Sequence, residues 1–179
     1  MGFNRAPVLI LAVSLSGMLG ACDPNEAHKT ASTNMLYRQL LRTLYRHTVP
    51  TVRPAAQVRE LAQPNPPLLL DARTPVEFSV SHLRGARFVP FDSIATEQFA
   101  DLPRTQPVVV YCSVGVRSER LGERLAALGF QNVHNLYGGL FEWVNEGYPV
   151  YDATGVTSNI HPYSPVWSPW LKRGQKCYE

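Results

Sequence analysis

The sequence predicts an α/β domain: a central, mainly parallel sheet of five strands with helices on both faces. An amphipathic helix precedes it and an extended tail follows it. Three observations carry this expectation. Leu68-Leu69-Leu70-Asp71 and Val108-Val109-Val110-Tyr111 are short, continuous apolar runs, with no polar alternation until their ends. Runs of that kind belong to strands covered on both faces, which is the condition of a parallel sheet. Helical patterns alternate with these two strands and with three weaker ones, the order expected of βα units.

The elements follow in order. Residues 1–21 read as an export signal: Arg5 gives the positive start, and Val8 to Leu15 is an apolar run too short to span a bilayer. Leu19-Gly20-Ala21-Cys22 resembles the bacterial lipobox, which implies cleavage before Cys22 and lipid on that cysteine. The expected product is a membrane-anchored lipoprotein facing the periplasm or the cell exterior. Asp23 resembles an inner-membrane retention signal. Residues 22–33 are small and polar, a tether.

Residues 34–48 predict an amphipathic helix capped by Thr33 or Asn34. Its stripe is Leu36, Tyr37, Leu40, Leu41, Leu44 and Tyr45. Arg38, Arg42 and Arg46 lie on another face and are read as solvated, with contact to anionic headgroups as the alternative. The main domain is expected over 50–150. Thr51-Val52 begins the sheet, and Pro54 to Leu61 is a helix with Pro in its first position. Leu68 to Asp71 is the second strand. Thr74 caps a helix over Pro75–Val80. Arg87 to Pro90 is the third strand, and Ser93 to Ala100 is expected to be helical. Pro107 to Tyr111 is the fourth strand, Arg117 to Leu128 a helix stopped by Gly129, and Asn132 to Leu136 the fifth strand. A helix over Gly139 to Glu146 ends at Gly147. In the tail, 151–179, Pro162, Pro165 and Pro169 alternate with Tyr163, Trp167 and Trp170; little regular structure is expected there, with the aromatics packed on the domain.

Composition narrows the function. Of 179 residues, 17 are Lys or Arg and 14 Asp or Glu, a formal charge of +3 with no basic block of the nucleic-acid type. The three cysteines (22, 112, 177) and five histidines (28, 47, 82, 134, 161) show no metal-ligand spacing, so neither a metal nor a cofactor is expected. The histidines are read as surface or structural residues.

The chemistry concentrates in Cys112-Ser113-Val114-Gly115-Val116-Arg117-Ser118. Cys112 sits where the fourth strand ends and a loop feeds a helix N-terminus. That end carries partial positive charge and unpaired N–H groups, and Arg117 adds a full charge. Both favour a thiolate, the nucleophilic form. Successive loop N–H groups, with Gly115 free to take positive φ, form an anion nest.

This Cys-x4-Arg-Ser loop resembles the active-site signature of the rhodanese family of sulfurtransferases. Three further stretches are similar to that family, in its order: Leu68-Leu69-Leu70-Asp71-Ala72-Arg73; Pro75-Val76-Glu77-Phe78 with His82-Leu83-Arg84-Gly85-Ala86; and Leu136-Tyr137-Gly138-Gly139-Leu140-Phe141-Glu142-Trp143. Arg84 stands where the family usually has Pro. The resemblance implies a rhodanese-like fold and sulfur transfer through a Cys112 persulfide, from thiosulfate or a similar small donor to a thiol or cyanide. Ser113 to Ser118 would form the anion-binding loop. Arg117 would hold the donor's anionic end or lock the loop, and Ser118 would cap the helix. Asp71 resembles the family's carboxylate near the loop, with a structural role anchoring Arg73 or loop N–H groups as the alternative. For Arg73, substrate contact and a salt bridge stay open.

Two other readings are kept. A non-catalytic or redox binding module would share the fold. Cysteine phosphatases and arsenate reductases resemble the site, but the phosphatases enclose five residues between Cys and Arg, where Cys112 and Arg117 enclose four. Cys177 is read as a tail thiol unrelated to Cys112, a reversible disulfide between them being the alternative.

Overall fold

The computed structural model describes residues 35–179, one compact unit. The expected signal segment, Cys22, the tether and the cap at Thr33 or Asn34 lie outside the described residues. No helix among those described is long and apolar enough to cross a membrane.

Five parallel strands form the central sheet: β1 (Thr51–Val52), β2 (Leu68–Asp71), β3 (Arg87–Phe88), β4 (Val108–Tyr111) and β5 (Val133–Leu136), in the order β1-β5-β4-β2-β3. The two apolar runs lie side by side, Leu68 opposite Val108 through Asp71 opposite Tyr111, so the strands most hydrophobic in sequence sit innermost. Side chains alternate between two cores because successive residues of a strand face opposite ways. Val109 and Tyr111 join one core with Leu69, Leu136, Leu140 and Phe141. Val108, Val110 and Cys112 join the other with Leu70, Leu121, Leu125 and Phe130.

Helices cover both faces. Helix α1 covers residues 35–44 of the described chain; α2 is Pro54–Leu61, α3 Pro75–Val80, α4 Val116–Ala127 and α5 Gly139–Asn145. Tyr37, Leu41 and Tyr45 bury the inner side of the α1 segment, Leu40 and Leu44 pack beside them, and Leu36 of the expected stripe is exposed. Arg38, Arg42 and Arg46 face solvent. The helix stops at residue 44, short of the expected 48, and His47 beyond it takes a left-handed φ of 58°. The Glu119 carboxylate of α4 then accepts from the N–H groups of Arg46 at 2.8 Å and Thr48 at 3.1 Å, satisfying backbone donors beyond the helix end.

Two expectations in the domain are corrected. The third strand ends at Phe88: Val89 N–H still reaches Asp71 O at 2.9 Å, but Pro90 has no N–H to continue the ladder. Ser93 to Ala100 is not one helix. Short 3₁₀ turns at Phe91–Ser93 and Thr96–Phe99 flank extended Ile94 and Ala95. That extended backbone interrupts the helix, and the side chains of Arg87 and Arg104 bind Gln98 O and Phe99 O at the end of the second turn. Phe99 is left pointing into the core.

The tail holds more regular structure than its prolines suggest. Strands β6 (Val150–Asp152) and β7 (Gly155–Thr157) form a hairpin, and β8 (Asn159–Ile160) pairs in parallel with β9 (Gln175–Lys176). Asp152 Oδ1 accepts from the N–H groups of Thr154 (2.7 Å) and Gly155 (3.2 Å), an Asp-initiated turn that nucleates the hairpin. Prolines crowd only the stretch between β8 and the 3₁₀ turn Ser168–Trp170. That stretch is pinned at one end: Asn145 donates to Trp170 O at 2.9 Å and accepts from Lys172 N at 2.7 Å, while Trp170 stacks on Tyr37 at 5.5 Å.

Candidate active site

Cys112 follows the carboxyl end of β4, where ligands of open parallel sheets bind. The backbone around it is accounted for group by group. Cys112 O accepts from Leu140 N–H at 2.8 Å and Ser113 O from Phe141 N–H at 3.0 Å, both at the start of α5. Val114 O accepts from the Tyr45 hydroxyl at 2.7 Å, and Gly115 O from Asn135 Nδ2 at 2.9 Å. Every carbonyl from Cys112 to Gly115 is thus turned outward and held. Amide groups turn inward: Gly115 N–H donates to Cys112 Sγ at 3.1 Å, and α4 begins directly behind.

Two glycines make this packing possible. Gly115 has φ 100°, and a Cβ there would lie 1.9 Å from the Tyr45 hydroxyl oxygen. Gly139 has φ 57°, and its Cβ would lie 2.3 Å from Cys112 O. Neither conformation nor space tolerates a side chain.

The Cys112 side chain is 1% exposed. Burial alone pushes the thiol up. The Arg117 charge, helped by the N–H groups of Ser118 and Val114, outweighs burial and lowers it below its ordinary value. Ser118 does not cap the helix, because Gly115 occupies that position. Its hydroxyl sits inside the first turn and donates to Asn135 Oδ1 at 2.8 Å.

Arg117 locks the loop. Its two terminal nitrogens meet Glu77 at 2.8 and 2.7 Å, and one also donates to Ser113 Oγ at 3.0 Å. Glu77 closes a reciprocal capping box with Thr74 at the start of α3 and accepts from Ser113 Oγ. Burial would raise its carboxyl, but Arg117 and these donors hold it down at about 2. Val116, the remaining loop residue, opens α4 and lines the cavity above the sulfur.

Asp71 and Arg73 form a separate, fully buried pair. The carboxylate accepts from Arg73 Nε at 2.9 Å and Nη2 at 2.7 Å, and Nη2 also reaches Ser81 O. Neither lines the cavity above Cys112, and both are engaged in this buried ion pair. The turn at Arg84 is intact: Ala86 N–H donates to Leu83 O at 3.0 Å around Gly85 at φ 73°, and Arg84 takes the position proline favours. Cys112 and Cys177 are both free thiols.

A cavity of about 170 Å³ opens over Cys112, Ser113 and Arg117. Its outer wall comes from outside the expected domain: Leu44 of α1, and Tyr163 and Trp167 of the tail. The Tyr163 ring lies 4.6 Å from the Arg117 guanidinium carbon. His161 is buried beside this wall. Burial lowers its pKa, and its Nδ1 accepts from Tyr163 N–H at 3.0 Å, so it orders the tail.

Sequence reasoning assigned no site role to Glu77, Tyr45, Asn135, Leu44, Tyr163 or Trp167. Glu77 had a legible signal, since Thr74-x-x-Glu77 is a capping box. The others act through contacts that no local pattern encodes.

Comparison with known proteins follows the same segment. The Rhodanese-like domain family matches residues 54–146. A sulfurtransferase of Allochromatium vinosum is 33% identical over 92 residues, 51% of this chain and 85% of that protein. The probable adenylyltransferase/sulfurtransferase MoeZ of Mycobacterium tuberculosis is 35% identical over 82 residues, 45% of this chain and 21% of that protein; the chain therefore spans about a fifth of its length. The crystal structure of a rhodanese-related protein from Thermoplasma volcanium superimposes with a TM-score of 0.50 at 28% identity, covering 56% of this chain and 96% of that one.

Proposed function

The chain belongs to the rhodanese-like domain family, and from that premise we propose that it is a sulfurtransferase carrying sulfane sulfur on Cys112. The observation that carries this reading is the loop's polarity. Its carbonyls are tied outward and the Gly115 N–H donates to a buried sulfur at the start of α4. Such a nest stabilises a sulfur anion and gives little to a neutral thiol. In the first step the Cys112 thiolate attacks the outer sulfur of thiosulfate or a similar donor. The donor's S–S bond breaks, sulfite leaves with the bonding pair, and Cys112 becomes a persulfide. A thiolate or cyanide then attacks the terminal sulfur and Cys112 departs as thiolate, a double displacement.

Phosphate-ester chemistry fits less well. The Arg117 side chain is engaged by Glu77, and the loop encloses four residues, a small cradle for a tetrahedral oxyanion. Intact-mass spectrometry of the full-length protein after thiosulfate treatment tests the proposal. The expected result is a gain of one sulfur atom, absent in Cys112→Ala and reversed by cyanide. No adduct with any sulfane donor would overturn it.

Export with lipidation at Cys22 belongs to the same proposal and rests on the lipobox-like sequence. Labelling with a palmitate analogue, lost in Cys22→Ala, and fractionation between inner and outer membranes would test it.

A further inference from the structure

The cavity over Cys112 has an unexpected chemistry for a site meant to receive a small inorganic dianion. Among the described residues lining it, Arg117 is the one cation, and the buried Glu77 carboxylate holds both of its terminal nitrogens. The pair is neutral, so with Cys112 ionised the local charge is negative. A second and third negative charge would be repelled in a buried, weakly screened space. The walls are apolar instead. Val114 and Val116 come from the loop, and Leu44, Tyr163 and Trp167 close the mouth.

Those last three residues all lie outside the family-matched segment 54–146. They are nevertheless held in place. Leu44 ends α1, next to Tyr45, whose hydroxyl binds Val114 O. Tyr163 is fixed by its N–H bond to His161 and by its ring over Arg117. Trp167 N–H donates to Ser164 O at 3.1 Å, just before the turn that Asn145 anchors.

Building on the sulfurtransferase reading, we propose that Leu44, Tyr163 and Trp167 make this site select organic sulfane-sulfur donors, monoanions bearing an apolar or aromatic group, over inorganic thiosulfate. The aromatic wall would bury the donor's apolar body while its outer sulfur meets Cys112. For a thiosulfonate the step balances directly: the thiolate takes the outer sulfur, the S–S bond breaks, and the sulfinate leaves with the electron pair.

The test compares benzenethiosulfonate, methanethiosulfonate and thiosulfate by rates of Cys112 persulfide formation in full-length protein. The two thiosulfonates share charge and leaving-group type and differ in the ring. The expected result is a preference for the phenyl donor of about tenfold or more, the effect of burying one ring. Trp167→Ala and Tyr163→Ala should each reduce the phenyl-to-methyl ratio several-fold. Both side chains are only partly buried, and thermal unfolding of each variant separates a folding defect from a change in donor preference. Thiosulfate should be the poorest donor. A phenyl-to-methyl ratio near one, or one unchanged in both variants, would overturn the inference and leave the sulfurtransferase reading standing. Absence of persulfide with all three donors would overturn both.

Discussion

Arg117 and Glu77 stand 40 residues apart in sequence and meet through two hydrogen bonds of 2.8 and 2.7 Å. One joins the loop to α4, the other the capping box to α3. The pair therefore clamps the candidate catalytic loop to a neighbouring helix, and it also neutralises the cavity's cation. Glu77 is nearly inaccessible and Arg117 only partly exposed, so water screens the pair weakly.

Glu77→Gln should destabilise the protein on the order of 3 kcal/mol at neutral pH, because it leaves Arg117 without its counter-ion. The Glu77 carboxyl is depressed from 4.5 to about 2, so its contribution is fully present above 4.5 and is lost as pH falls toward 2. Urea unfolding of both proteins across this range should show the difference shrinking on acidification. A constant difference would place the effect elsewhere.

Arg117→Met should raise the Cys112 pKa, since the guanidinium charge is the main influence opposing burial. In the wild type, persulfide formation should decline as pH falls through a pKa below the ordinary thiol value. In the variant that decline should begin at higher pH. Rates measured against pH, with a donor whose charge is constant, would show the shift.

Tyr45→Phe removes one donor to Val114 O and one acceptor for Gly138 N–H, bonds of 2.7 and 2.9 Å. Two buried backbone groups lose partners, at a cost of about 1–3 kcal/mol each. Thermal unfolding should show the loss. Persulfide formation should slow as well, because Val114 would be free to rotate out of the nest.

Asp71→Asn should cost about 3–5 kcal/mol, leaving Arg73 buried and unpaired. Folded protein at low temperature should still form the persulfide at a rate close to wild type, because Asp71 does not line the cavity. Urea titration paired with mass spectrometry would separate the two effects. A folded variant that forms no persulfide would restore Asp71 to the chemistry.

Gly115→Ala should abolish persulfide formation. The added methyl meets Tyr45, and φ 100° is strained for any L side chain. Lower thermal stability together with lost sulfur uptake is the expected outcome, since Tyr45 must give way; wild-type rates would refute the need for this backbone geometry.

By itself the sequence determined the parallel sheet, the boundaries of most strands and helices, and the position of Cys112 at a helix N-terminus. These follow from local causes: continuous apolar runs, helical stripes, Pro at helix starts and Gly at stops. It did not determine the interval 93–100, where extended Ile94 and Ala95 split the expected helix into two short turns. Nor did it identify what holds the candidate site. Arg117 pairs with Glu77, Tyr45 ties α1 to Val114, Asn135 holds Gly115, and Tyr163 and Trp167 wall the cavity from 46 and more residues beyond Arg117. Each is a pairing of buried polar groups, or of packed surfaces, between segments far apart in the chain. Local pattern reports what one segment needs; only the tertiary structure decides which distant side chain supplies it.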